Sequence, residues 1–574
     1  MALKRSTTTS HNSIDNKSMT KLPNYSYAWL GPPDAQLKGV TLSGNYNLSE
    51  LIERTAEAVP DRMAVIAENR ELTFSQLDQR ANQLAGHLLA CGVGPGDMVG
   101  LHLYNGTEYV EAMLAAFKIR AVPVNINYRY VENELEYLYR YTDLTAVVFH
   151  RALAPAVIPV ARKLTAVRHL IAVDDDSTAA LPADIVDYET VLAAQPPQRS
   201  FTGRSSDDLY VTCTGGTTGL PKAVMWRHED LFFAAFNGGD ITGRLGPVSD
   251  SQQLVERVLS GPPLVQLSLA PLMHVTGHWA VLAMAICGGT TILAPPGSFD
   301  PVKTWQLVAQ HRVNLIGLVG DAMARPLIEA YQRDPFPVRT LWAIGSGGAR
   351  ISPSTKQSIN AALPHVAILD GLGSSETGVL GRNLSVAGQQ HHGRFPIDET
   401  IAVLGENLRP LPPGSTTAGI LARCGHVPLG YYNDEAKTKR TFVEIDGRRW
   451  VLTGDFAVLE NDGTVALCGR GSSSINTGGE KVFPDEIEQV LIEHPGIVDV
   501  LVVGKPDPRW GERVVAIVQG GGGAVPTLDD IRQHARTRLA GYKLPQEVIA
   551  VDLLQRLPSG KPDLQWAKAL ASTS

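Results

Sequence analysis

From Asn47 onward, apolar positions alternate between helical spacing and short unbroken runs. Thr73-Phe74-Ser75-Gln76 has the form of a capping box. Leu77, Ala81, Leu84, Ala85, Leu88 and Leu89 follow at helical spacing, and Gly92 stops the helix. The pattern predicts a strand over 98–103, a helix over 108–118, a strand over 121–126, a helix over 132–141 and a strand over 146–149. The same rhythm returns with a helix over 304–311 and strands over 315–319 and 341–344. Ser352-Pro353 then opens a helix with a cap and an N1 proline, and a strand follows over 366–369. Repeated strand–helix–strand units argue for α/β architecture with a parallel sheet. Between about 400 and 467 short strands and turns dominate, which predicts a β-rich subdomain. Gly469-Arg470-Gly471-Ser472-Ser473-Ser474 breaks that pattern with small residues. Beyond it, helices over 484–494 and 527–539 and strands over 498–503, 514–518 and 548–551 predict a small α+β domain.

Composition adds boundaries to this outline. At 574 residues the chain is too long for one ordinary core. Residues 1–43 are rich in Ser, Thr, Asn and Lys and lack an apolar h-region, so they read as a flexible tail rather than a signal peptide. The expected division is therefore a tail over 1–43, a large domain over 44–470 and a C-terminal domain over 471–574. A net charge of −7, with no dense Lys/Arg cluster, gives no support to nucleic-acid binding. The most apolar stretch, 264–296, is interrupted by Pro271, His274, His278 and a glycine pair, and reads as buried core rather than a transmembrane segment. Cys91, Cys213, Cys287, Cys424 and Cys468 are scattered without a CxxC pair. That pattern points to a reducing, cytoplasmic setting without a disulfide framework or zinc site.

Candidate chemistry concentrates in five places. Thr214-Gly215-Gly216-Thr217-Thr218-Gly219-Leu220-Pro221-Lys222 lies between two apolar runs. Its amides, hydroxyls and lysine can converge on an anion, although an unliganded surface turn has similar glycines. It is not the common P-loop, because Leu220-Pro221 separates the last glycine from Lys222. Gly345 to Ala349 and Gly371 to Glu376 are expected at carboxyl ends of strands, where open parallel sheets bind ligands. Glu376 can hold Mg²⁺ against phosphates or can cap a helix. Asp455, after the apolar run at 450–452, can accept ribose hydroxyls or can be a turn aspartate, with Arg470 available to it or to phosphate. Lys561, in Leu557-Pro558-Ser559-Gly560-Lys561-Pro562, reads in isolation as a solvated charge.

Taken together, and in this order, these segments resemble the adenylate-forming superfamily of acyl-CoA synthetases, luciferases and peptide-synthetase adenylation domains. The resemblance runs from about Leu48 to the C-terminus. It implies that Thr214, Gly215, Gly216, Thr217, Thr218, Gly219 and Lys222 clamp the ATP phosphates. It also implies that Gly347, Gly348 and Ala349 line the adenine pocket, that Ser374 and Ser375 lie at the nucleotide, and that Glu376 and Thr217 hold Mg²⁺. Asp455 is then the ribose ligand with Arg470 beside it, and Lys561 is the cation of adenylate formation. Ser472 falls at the hinge of a mobile C-terminal domain, and Gly478 and Gly479 in the coenzyme A tunnel. Leu372 departs from the pattern, replacing the usual aromatic residue that stacks on adenine. Ser472 replaces a common charged hinge residue, Asn476 a frequent lysine, and Pro562 an Ile or Val.

The implied reaction activates a carboxylic acid with ATP and passes the acyl group to coenzyme A. Gly469 to Val482, Val224 to Asp230 and Ser559 to Lys568 resemble a subset of bacterial acyl-CoA ligases acting on fatty acids or steroid side-chain acids. His274 stands where amino-acid-activating relatives carry an aspartate, so the expected substrate is an apolar acid. Met273 and His274 are the expected pocket residues, with His278, Trp279, Phe232 and Phe233 as further lining or core. Transfer to an acyl-carrier protein, ligation of an aryl acid and non-catalytic nucleotide binding are the competing readings. A homodimer is left open.

Overall fold

The computed structural model describes residues 45–68, 70–215, 221–243, 245–386, 393–477, 480–521, 525–536, 538–557 and 562–573. Among these residues the chain is a mixed α/β protein built on five sheets. The first is entirely parallel, in the spatial order Val122–Asn125, Met98–His102, Leu144–His150, His169–Val173 and Val186–Asp187. Its crossover helices Thr107–Lys118 and Glu132–Tyr141 end within a residue or two of the positions their apolar spacing predicts. Helix Phe74–Ala90 begins in the expected capping box. The Thr73 side chain accepts from Gln76 N, and the Gln76 side chain accepts from Thr73 N.

A second, eight-stranded sheet runs Gly378–Ser385, Ala367–Ser374, Ala343–Ser346, Leu315–Leu318, Val265–Ser268, Thr290–Leu293, Met63–Ala67 and Arg70–Thr73. Its centre is parallel and both edges are antiparallel hairpins. This edge pairing corrects one expectation. Gly371 to Ser374 do not lie beyond a strand, because they continue Ala367–Ser374 and pair with Gly378 to Arg382. Ser375, Glu376 and Thr377 form the turn.

Leu209–Gly215 and Pro221–Arg227 form an antiparallel hairpin in register Thr214 opposite Lys222, and Gly430–Tyr431 pairs with its second strand. The β-rich subdomain is an antiparallel sheet of Arg394–Pro396, Thr464–Arg470, Arg448–Leu459, Gly419–Cys424 and Ile401–Leu404, with Phe442–Ile445 added to Arg448–Leu459. The last sheet joins Glu480–Val482, Ile475–Thr477, Gly511–Gly520, Ile497–Asp507 and Glu547–Val551, and helices Pro484–Leu491, Leu528–Ala535 and Leu564–Thr573 cover it. Its apolar residues form clusters of their own, one centred on Ile487, Val502 and Val514 and another on Leu501, Val515 and Ala567. No helix among the described residues is long and apolar enough to cross a membrane.

Two asparagines at the carboxyl ends of the parallel strands tie the first two sheets together. Asn125 Nδ2 donates to Cys213 O (2.9 Å) and Met273 O (2.7 Å), while its Oδ1 accepts from Cys213 N (2.7 Å). Asn105 Oδ1 accepts from Leu272 N, and its Nδ2 donates to Ala294 O. A buried amide that fills all of these roles is worth having, because an unpaired backbone group there costs about 1–3 kcal/mol. The hairpin and residues 272–273 are thereby held against one edge.

Candidate active site

The hairpin brings Lys222 to the turn that follows Ala367–Ser374. Lys222 Nζ forms an ion pair with Glu376 Oε1 and lies 3.4 Å from the Tyr431 hydroxyl. Tyr431 OH donates to Glu376 Oε1 (2.9 Å), and Ser375 Oγ donates to Glu376 Oε2 (2.9 Å). Ser374 Oγ accepts from Glu376 N, and Thr377 Oγ1 accepts from Ser374 N, which sets the turn. Trp226, fully buried on the second hairpin strand, donates Nε1–H to Ser375 O at 2.9 Å and fixes the turn to the hairpin.

Glu376 is 8 % exposed. Burial alone would raise its pKa. The Lys222 charge and the hydrogen bonds from Lys222, Ser375 and Tyr431 outweigh burial and hold the carboxyl below the usual glutamate value. It stays ionised at neutral pH. One carboxylate among hydroxyls suits Mg²⁺, which takes one or two carboxylates and keeps waters or phosphate oxygens as its other ligands. At the hairpin mouth Thr214 Oγ1 is buried without a hydrogen-bond partner among the described residues. Such a group is stabilised by any polar ligand that reaches it.

A second group forms where strand Ala343–Ser346 ends. Gly347 N donates to Leu318 O, and Ser346 Oγ donates to Ala349 O at 2.6 Å. Gly348 has φ +82°, a conformation other residues adopt at a cost, and a Cβ on Gly347 would meet Thr276 Cγ2 at 2.9 Å. Thr276 therefore abuts this segment, in the first turn of helix Val275–Ile286, whose N-cap is His274. His274 is half-buried, and the Met273 side chain is 2 % exposed. Thr276 thus brings the segment expected at adenine against the helix that begins at His274.

His278, one turn on from His274, belongs to the core. It is fully buried, with Nδ1 3.0 Å from Tyr210 OH and Nε2 2.8 Å from Tyr109 OH. Burial, with a smaller contribution from His274, presses its pKa down to about 3, so it stays neutral. Phe232 and Phe233 are core residues as well, packed on Tyr46 from helix His228–Phe236. Leu372 belongs to the core cluster with Leu380, Phe395 and Leu421.

Asp455 does not follow a strand. It lies inside the long strand Arg448–Leu459, directly opposite Arg470, just after Gly454 at φ +76°. That left-handed residue accompanies a register shift in the pairing with Gly419–Cys424, so the strand continues through what the sequence presents as a Thr-Gly-Asp turn. Asp455 is half-buried, and its N–H donates to Thr453 Oγ1. Gly471–Ser473 is a 3₁₀ turn, which puts Ser472 between the β-rich sheet and the last sheet. Gly216, Thr217, Thr218, Gly219, Gly478, Gly479 and Lys561 lie outside the described residues, as do the side chains of Arg470 and Ser472.

Sequence reasoning missed Tyr431, Thr276, Asn125 and Trp226. Tyr431 stands in Gly430-Tyr431-Tyr432-Asn433, which in one dimension is an ordinary turn. Its role depends on a strand pairing with Met225 and Val224, two hundred residues earlier.

Comparison with known proteins identifies the family. Residues 52–432 match the AMP-binding enzyme family, and residues 486–561 match the AMP-binding enzyme C-terminal domain. The chain is 44% identical over 532 residues to a 3-oxocholest-4-en-26-oate–CoA ligase of Rhodococcus rhodochrous, covering 91% of this chain and 95% of that protein. It is 39% identical to a medium-chain acyl-CoA ligase of Mycobacterium avium, covering 92% and 98%. Among solved structures, an anthranilate CoA ligase in complex with anthranoyl-AMP is similar, with TM-score 0.78, 20% identity and coverage of 92% and 98%. A Mycobacterium tuberculosis fatty acyl CoA synthetase is similar with TM-score 0.68, 24% identity and coverage of 92% and 99%. These two likenesses concern the fold. With a family match over residues 52–432 and a relative 44% identical across 91% of the chain, the chain belongs to the AMP-binding enzyme family.

Proposed function

We infer that this enzyme is an AMP-forming acid–CoA ligase whose substrate is an apolar carboxylic acid, either a fatty acid or a steroid side-chain acid. The observation that carries the reading is the Lys222–Glu376–Tyr431–Ser375 cluster, whose Lys222 sits opposite Thr214, a hydroxyl without a partner among the described residues. A cation, an ionised carboxylate and hydroxyl donors together suit a metal-bound polyphosphate. Similarity to ligases of fatty and cholestenoic acids supports the choice of acid.

In this reading ATP, Mg²⁺ and coenzyme A are required. Glu376 holds Mg²⁺ with the Thr217 hydroxyl, and the metal supplies neutralising charge at the phosphates. Thr214 to Gly219 and Lys222 cradle those phosphates. Gly347, Gly348 and Ala349 form the adenine wall, Ser374 and Ser375 lie at the nucleotide, and Asp455 binds the ribose with Arg470 beside it. Met273 and His274 bound the acid. A carboxylate oxygen of the acid attacks the α-phosphorus of ATP, and the bond to pyrophosphate breaks. Lys561 steadies the charge that develops. The coenzyme A thiol then attacks the acyl carbon of the adenylate and AMP leaves.

Lys561 and a thiol tunnel at Gly478 and Gly479 cannot both face one carbonyl, so residues 471–574 are taken as a domain that turns about Ser472 between the steps. Beside one aromatic contact, Phe456 on Phe483 at 5.1 Å, the polar contacts between the two parts are few among the described residues. Arg350, next to Ala349, pairs with Asp485 at 3.6 Å with both side chains substantially exposed, and such a pair contributes about 1 kcal/mol or less. Arg325 adds one hydrogen bond to Val498 O. We take residues 44–470 as the adenylation domain, the enzyme as cytoplasmic, and a homodimer as compatible with this reading.

The test is release of AMP and pyrophosphate with coenzyme A present, across short, medium and long fatty acids, aryl acids and steroid side-chain acids. An apolar acid is expected to give the highest kcat/KM. Preference for a free α-amino acid, or turnover only with an acyl-carrier protein, would overturn the assignment.

A further inference from the structure

Tyr431 collects more positive charge than the family signature requires. Lys222 Nζ and Lys437 Nζ each lie 5.1 Å from the centroid of its ring. Either contact is a favourable cation–π placement, but together they hold two like charges against one ring. Among the described residues, one carboxylate answers them. Glu376 takes the Lys222 ammonium and the Tyr431 hydroxyl. Lys437 has no carboxylate within ion-pair distance among the described residues.

The nearest acids in sequence are already used. Glu435 pairs with Lys439 at 2.6 Å. Asp434 Oδ1 caps helix Glu435–Thr441 by accepting the backbone N–H of Lys437 at 2.9 Å. Burial and the nearby Lys222 charge push the Lys437 pKa below the usual lysine value. A flexible lysine on an exposed helix would ordinarily relieve this by swinging into water. Here it is folded back over Tyr431, whose strand pairs with Pro221–Arg227.

We propose that Lys437 is a second cation for the polyphosphate end of the nucleotide, and that Tyr431 is the positioning residue that holds it beside Lys222. The chemistry that fits is a dense anion with several non-bridging oxygens, rather than a single carboxylate, which one lysine would satisfy. When Glu376 turns to a metal ion, both ammonium groups are left free for phosphate oxygens. This inference rests on the nucleotide site described above but does not depend on which acid is activated.

Its source is either the β- and γ-phosphates of ATP or the released pyrophosphate, and direct binding separates the two. Dissociation constants for Mg–ATP, Mg–pyrophosphate and AMP are measured by calorimetry on the wild-type chain and on Lys437→Met, Lys437→Gln and Lys437→Arg. Both neutral variants should bind ATP and pyrophosphate about tenfold more weakly, the loss of one charge-assisted contact, with AMP unchanged. Lys437→Arg should stay within about threefold of wild type for all three, because charge is kept. Weakening for ATP alone would limit the contact to the bound nucleotide, and weakening for both would extend it to the leaving group. Equal weakening of AMP would show that Lys437 only supports the fold. Unchanged binding of all three ligands, or no pyrophosphate binding by the wild type, would likewise overturn the proposal. If the wild type binds ATP and pyrophosphate but turns over no acid, the ligase reading fails and this one stands.

Discussion

Glu376 shows how one residue changes character once its neighbours are known. Read along the chain it is a turn carboxylate, with capping and metal binding equally open. In the fold it is buried, shared between Lys222 and Tyr431, and braced by Ser375. Glu376→Gln keeps the volume and one acceptor but leaves Lys222 without its counter-charge. We expect the Mg²⁺ concentration for half-maximal adenylation to rise about tenfold or more, consistent with losing one charged ligand. Because the side chain is not surface-facing, folding is not spared entirely. A loss of about 1–2 kcal/mol is expected, read from the urea midpoint. A Mg²⁺ titration identical to wild type would remove the metal role. His278 teaches the converse. Four residues after His274 it has the spacing of a functional pair, yet both ring nitrogens are occupied by tyrosine hydroxyls from two other elements.

Among elements, the helices Leu48–Ala58, Phe74–Ala90 and Thr107–Lys118 are locked by charge as well as by packing. Lys118 is 2 % exposed, with Nζ 2.5 Å from Glu53 Oε1 and 2.7 Å from Asp78 Oδ1. Arg204 and Arg199 complete the carboxylates at 2.7 and 3.0 Å. Burial acts to raise the pKa of both acids, but the arginines and Lys118 reverse it, so both stay ionised. Buried networks of this kind tolerate whole replacement better than the loss of one member, because the survivors keep their desolvation cost. Lys118→Met should therefore destabilise the protein by about 3–5 kcal/mol, with the kcat of the folded fraction unchanged. Chemical denaturation followed by tryptophan fluorescence checks it. A loss under about 1 kcal/mol would mean that water reaches the cluster. The helix ending at Lys118 was legible from apolar spacing. Its partners were not, since Glu53 and Asp78 lie 65 and 40 residues away.

At the scale of the whole molecule, the prediction concerns how the two parts divide the work. Among the described residues, the stretch 475–573 carries its own sheet and clusters, and few polar contacts join it to the rest. Lys561 belongs to that part and, in the proposed cycle, meets the acid and the α-phosphate only during adenylation. A preorganised cation in a dry site is worth ~3 kcal/mol or more, roughly 10²-fold in rate. Lys561→Ala should lose at least that in acid-dependent pyrophosphate exchange while still converting supplied acyl-adenylate and coenzyme A to thioester. Stopped assays of each half-reaction decide it. Equal losses in both would leave the turning domain without support.

By itself the sequence determined the element order, most helix starts and the succession of motifs, because caps, prolines and apolar spacing act over a few residues. The box at Thr73 and the cap at Ser352 are examples. It also determined the family, because several short motifs had to occur in one order. Strand continuation at Gly371 to Ser374 and at Asp455 was beyond it. There a partner strand extends the ladder through glycines that read locally as turns. Only the tertiary structure decided which side chains share a site. Tyr431 reaches Glu376 because Gly430–Tyr431 pairs with Pro221–Arg227, and Asn125 reaches Cys213 and Met273 because two sheets meet at their carboxyl ends. Such contacts depend on pairing between segments far apart in the chain, and local spacing carries no record of that pairing.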